Sequence, residues 1–92
     1  MTMRIDLAPK LDFRAAEALL GQIRAARGSD LVLDGAAVDH LGVQAAQLIM
    51  CATQSWIKDR KAFDIEGLPD AIHAQLAEMG LSHDDMMKER AA

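Results

Sequence analysis

Met3, Ile5 and Leu7 are interleaved with Arg4 and Asp6, the period-two pattern of a half-buried strand. Ala8-Pro9-Lys10 breaks it. Asp12 then stands where a helix N-cap belongs, and Phe13, Ala16, Leu20 and Ile23 follow at helical spacing. Arg14, Glu17, Gln22 and Arg24 fall mainly on the other side, and Gly28 supplies a stop. A first helix is therefore expected over about 12–27. Leu31, Val32 and Leu33 form a continuous apolar run, which predicts a central strand buried on both faces. A second helix is expected from Gly42 to about Arg60. Its apolar residues (Val43, Ala46, Leu48, Ile49, Met50, Ala52, Trp56, Ile57) cover well over half its circumference. Such a helix is either deeply buried or has a partner. Lys58, Arg60 and Lys61 stand at its end, where the helix dipole favours cations.

Phe63 and Ile65 alternate with Asp64 and Glu66, a third strand that Gly67 ends. Pro69 suits the first turn of a third helix, because its missing N–H would have no partner there. Ile72, Leu76 and Met79 make that helix's stripe, and Gly80-Leu81 reads as a Schellman stop with its hydrophobic contact. Residues 82–92 are expected to be a short charged tail, with a frayed extra turn as the alternative. The order βαβαβα implies an α/β fold: one domain with a small, mainly parallel sheet, right-handed crossovers and packed helices, its core at about 3–81.

Composition narrows the function classes. The 92 residues suffice for one domain near the low end for a self-supporting core. Half of them are hydrophobic, which excludes a disordered chain. Aromatic residues are limited to Phe13, Trp56 and Phe63, so Leu, Ile, Val, Ala and Met must build the core. A net charge of −4 argues against nucleic acid, which needs a concentrated basic surface. No run of 18 apolar residues could span a membrane, and the first residues lack the layout of a signal peptide. Cys51 is a single cysteine and cannot form an internal disulfide. These features fit a cytoplasmic protein without membrane insertion.

The candidate site is the stretch from Asp30 to Gln44. A strand runs into a short glycine-containing loop that delivers Val38, Asp39, His40, Leu41 and Gly42 to the start of the long second helix. In open α/β sheets ligands bind at the carboxyl ends of strands, and the free N–H groups of a helix first turn favour an anion. Asp39 is either a helix cap or a charge for a partner. Gly42 either lets the chain turn or admits a partner. His40 is either a solvent-exposed loop residue or a pH-sensitive contact. Trp56 is either core or part of an interface patch beside Met50. Cys51, inside an apolar helix, reads as a small buried hydrophobe. His40, His73 and His83 show no metal-ligand spacing with Cys51 or with clustered carboxylates, so neither a metal nor a cofactor is expected. Thr53 and Ser55 have no activating base nearby, and no nucleophile elbow, phosphate-cradling loop or paired catalytic carboxylates occur. Asp84-Asp85 reads as solvated charge.

The loop Val38-Asp39-His40-Leu41-Gly42, opening an apolar helix, resembles the signature of the STAS domain, the family of bacterial anti-sigma-factor antagonists. The family loop reads aliphatic-Asp-Ser-Ser/Thr-Gly, and its second hydroxyl residue accepts phosphate. Asp39 and Gly42 match. Leu41 holds the acceptor position, with His40 beside it, so the resemblance implies a regulator that has lost this phosphorylation. It extends over residues 3–81, through Leu11-Asp12 before a helix, the aliphatic strand ending in Asp34, and Pro69 before a last helix ending Met79-Gly80-Leu81. STAS domains usually begin with an additional strand, for which this chain is too short at the front. Leu41-Gly42 followed by Gln47 and Trp56 is similar to a small branch found with chemotaxis genes in alphaproteobacteria.

The resemblance implies a non-enzymatic signalling module that binds a protein partner through Asp39, His40, Leu41, Gly42, Val43, Gln44 and Gln47. That partner would be a kinase-like regulator, a chemotaxis kinase or a response regulator. The alternative is a cytoplasmic STAS subunit of a phospholipid-transport ABC system, with the same surface on an ABC ATPase. A small enzyme would need a catalytic constellation that the sequence does not contain.

Overall fold

The computed structural model describes residues 2–88. Its elements run β1 (Thr2–Asp6), β2 (Lys10–Leu11), α1 (Phe13–Ala25), β3 (Asp30–Asp34), β4 (His40–Leu41), α2 (Val43–Lys58), β5 (Phe63–Glu66), α3 (Asp70–Glu78) and α4 (His83–Met87). The βαβαβα alternation is present. It builds a three-stranded parallel sheet in the order β1-β3-β5, with β3 central and Leu31 and Leu33 level with Met3 and Ile5 of β1. A second, two-stranded parallel pair joins β2 to β4, with Lys10 beside His40 and Leu11 beside Leu41. The sequence pattern placed a break and a loop there, since two residues are too few to show a period.

The sheet is covered on one face only. Ile5, Leu31, Leu33 and Ile65 point into the core with Leu19, Ile23, Ile49, Trp56, Ile72 and Leu76 from the helices. On the opposite face Thr2, Arg4, Asp6, Asp64 and Glu66 are exposed and Asp30, Val32 and Asp34 are half-buried. The expectation that β3 is buried on both faces is therefore corrected. A run of three apolar residues cannot distinguish a doubly covered strand from one whose middle residue, Val32, faces outward between aspartates. On that open face Arg4 reaches Asp34 at 2.8 Å and Glu66 at 2.7 Å, tying all three strands together.

Asp12 caps α1 as expected, its carboxylate accepting from the Ala15 N–H at 3.0 Å. The buried stripe is Ala16, Leu19 and Ile23, and Phe13 is 60% exposed rather than part of it. Phe13 is the first helical residue, so it stands outside the packed turns. Pro69 occupies the N-cap position, one residue before α3, instead of its first turn. At the other end, Gly80 at φ +75° lets the Leu81 N–H return to the Leu76 carbonyl at 2.8 Å, the expected Schellman stop.

Residues 82–88 do make the extra turn, but packed on the core rather than frayed. Ser82 and Asp85 form a capping box that starts α4, and Met86 is completely buried against the core. Asp85 is thus a capping group and not merely solvated charge. Residues 89–92 of the expected tail lie outside the described residues. Trp56 is core: it is 1% exposed, donates from Nε1 to the Ser29 carbonyl at 2.7 Å and meets the Phe63 ring at 5.5 Å. Cys51 is exposed, against expectation, because it lies on the turn of α2 opposite Ala45, Ala52 and Trp56.

Candidate functional site

The β2–β4 pair positions the loop. The Asp39 and His40 N–H groups both donate to the Pro9 carbonyl, at 2.7 and 3.1 Å, and the Gly42 N–H donates to the Leu11 carbonyl at 2.9 Å. The Leu41 N–H donates to Oε1 of Gln75 on α3 at 3.0 Å. These bonds hold residues 39–42 against two separate parts of the chain. Val38 and Leu41 turn their side chains into the core, each 2% exposed, while Asp39 and His40 project to solvent. Leu41, expected among the partner-binding residues, is instead a core residue whose side chain is not on the surface.

Asp39 is no helix cap. The N-cap of α2 is Gly42, which has no side chain to give, and the first turn carries no acidic residue. Gly42 has φ −75°, so it is not there for a left-handed turn. A Cβ at this position would stand 2.8 Å from the Leu11 carbonyl oxygen. Close approach of two backbones is what requires glycine here.

Because β2 leads directly into α1 and β4 directly into α2, both helices begin at equivalent positions. Their first residues, Phe13 and Val43, are 60% and 52% exposed. Beyond Val43, α2 exposes Gln44, Gln47 and Cys51 at helical spacing. Not one residue from Leu41 to Ile57 carries a charge, in a chain where 26% of residues do. Two hollows border this strip. An open groove of about 530 Å³ is lined by His40, Leu41, Val43, Gln75, Glu78 and Met79, and a smaller one of about 280 Å³ by Gln47, Met50, Cys51 and Gln54. Among the described residues no group of three His, Cys, Asp or Glu side chains could hold a metal ion.

A family model described as Mlab, STAS domain matches residues 1–88. The chain belongs to the STAS domain family. No curated protein and no solved structure matches it. Members of the STAS domain family are in general regulatory rather than catalytic and bind other proteins, which gives this domain a signalling or transport-associated role. None of its described helices is long and apolar enough to cross a membrane.

Of the residues expected to bind a partner, the STAS fold brings Asp39, His40, Val43, Gln44 and Gln47 to the surface along the loop and one side of α2, with Gly42 half-buried between them. Sequence reasoning missed Gln75 and Phe13. Gln75 is distant in the chain, and nothing in its spacing marks it as the support of Leu41. Phe13 could have been found from Asp12: a residue directly after a cap begins the helix before its buried stripe is established.

Proposed function

We propose that this STAS domain is a non-enzymatic regulator that docks on a protein partner through the 38–44 loop and the exposed side of α2. The observation that carries this reading is the uncharged strip Val43, Gln44, Gln47, Cys51, exposed on a helix that could have carried charges there at no cost. Interface centres are depleted in charge and need apolar anchors, and Val43, 52% exposed at the head of the strip, provides one. Leu41 has no hydroxyl and is buried, so the loop is not switched by phosphate on that residue. The partner belongs to a partner-switching or chemotaxis pathway: a kinase-like regulator, a chemotaxis kinase or a response regulator.

The missing hydroxyl also favours a second reading, the cytoplasmic accessory subunit of a phospholipid-transport ABC system, with the same strip seated on the ATPase. Affinity purification of the wild type, Gln44→Arg and Gln47→Arg from the native cells, followed by mass spectrometry, tests the surface and separates the readings. The wild type should recover a signalling kinase or receiver protein in the first case and a transporter ATPase in the second. Both arginine variants should lose it while their circular dichroism stays native. Equal recovery by all three proteins would remove this surface from consideration.

A further inference from the structure

The two outer edges of the three-stranded sheet are treated differently by the chain. At β5 the backbone groups of Phe63 and Ile65 face away from β3, while the Ile65 side chain stays in the core. The Ile65 N–H donates to the Asp64 side chain at 2.8 Å, and its carbonyl lies 2.9 Å from His83 Nε2 at the start of α4. That edge is closed at Ile65, its middle. At β1 the Leu7 N–H donates to the Asp34 carbonyl at 2.8 Å, so odd-numbered residues of β1 turn their backbone groups toward β3. The backbone groups of Thr2, Arg4 and Asp6 consequently face outward, and among the described residues β1 pairs with β3 alone. No proline, bulge or covering element protects this edge among the described residues. An edge of this kind is a template for another strand.

We propose that the occupant is a second copy of the same chain, its β1 running antiparallel to the first with Ile5 on the two-fold axis. Charge selects this register. Centred on Ile5, Arg4 of each copy stands opposite Asp6 of the other, in pairs whose outward N–H and C=O groups bond each other, about four main-chain bonds in all. Centred on Arg4, the two guanidinium groups would face each other. Asp6 makes no ion pair within its own chain among the described residues, whereas Arg4 already holds Asp34 and Glu66. Across the axis Arg4 of one copy gains the free carboxylate of the other. On the helix-covered side the same register sets Met3 against Leu7 of the second copy. It thereby covers Met3, which is 40% exposed in the single chain. The three-stranded sheet becomes a continuous sheet of six.

Sedimentation equilibrium from micromolar to millimolar protein tests this, together with amide hydrogen exchange followed residue by residue. The wild type should form a concentration-dependent dimer. Asp6→Lys converts both attractive pairs into repulsive ones and should weaken it about tenfold or more. In the wild-type protein the Arg4 and Asp6 amides should be protected only where the dimer is populated, while the Ile5 and Leu7 amides are protected at every concentration. A wild type that stays monomeric at millimolar concentration would overturn the proposal. So would a dimer whose Arg4 and Asp6 amides exchange freely, or one that Asp6→Lys, shown to be folded, leaves unchanged.

Discussion

Gly42 and Asp39 are three residues apart and give opposite answers to the same question. Gly42 sits 2.8 Å, measured from a would-be Cβ, from a backbone oxygen that cannot step aside. Inside a helix alanine is favoured over glycine, but at an N-cap such as Gly42 glycine is already the better residue. Here Gly42→Ala should cost about 1–3 kcal/mol, the usual penalty for overpacking a fixed neighbour. Chemical denaturation measures it, and an unchanged midpoint would show that β2 and β4 can part. Asp39 caps nothing, so Asp39→Ala should alter stability by less than about 0.5 kcal/mol. Any loss of partner binding in that variant then belongs to the surface itself, which titration against the identified partner checks. The sequence left both residues open between structure and recognition. Only the register of a two-residue strand pair, invisible to any periodicity, separates them.

Among the elements, the three main strands, α1, α2 and α3 were legible because each repeats its pattern long enough to be read. The elements that escaped are the short ones. α4 has five residues, with its capping box hidden in a run of charge, yet it packs on α2 and β5 and its Met86 is fully buried in the core. Met86→Ala should therefore cost about 2–5 kcal/mol, as for a fully buried side chain and not as for a tail. A melt no different from the wild type would return α4 to the tail. The open sheet face is held by charge. The Ala36 backbone N–H, and then the Arg4 guanidinium, hold the Asp34 carboxyl below the ordinary carboxylate range. A depressed folded value means that the unfolded chain takes up this proton first as pH falls. The stabilisation is complete above the unfolded value of about 4 and is lost as pH drops through the lower folded value. Denaturation midpoints of Asp34→Asn should accordingly fall less steeply than wild type between about pH 5 and 2. Parallel curves would mean that the carboxylate contributes nothing to the sheet.

At the scale of the whole molecule, Trp56 joins parts that the chain keeps far apart. Its ring lies against Phe63 of β5, its N–H holds the Ser29 carbonyl at the turn before β3, and Arg27, from just beyond α1, lies 5.8 Å over it. Arg27 in turn reaches Asp59 at the end of α2 at 2.8 Å. The sequence could not decide between core and interface for this residue, because the helix around it is apolar on too many sides. The fold decides it by assigning Trp56 to the core side of α2 and Gln47 and Cys51 to the other. A single buried tryptophan at this junction reports on α1, α2, β3 and β5 together. Its fluorescence and the far-ultraviolet circular dichroism should therefore show one coincident denaturant transition, the behaviour of a single cooperative core. Trp56→Phe should lower stability by about 2 kcal/mol or more, since it opens space in the core and leaves the Ser29 carbonyl without its donor. Fluorescence changing at lower denaturant than the circular dichroism would mean that this junction opens before the rest. The helix that carries the proposed docking strip would then not be held rigidly by the core beneath it.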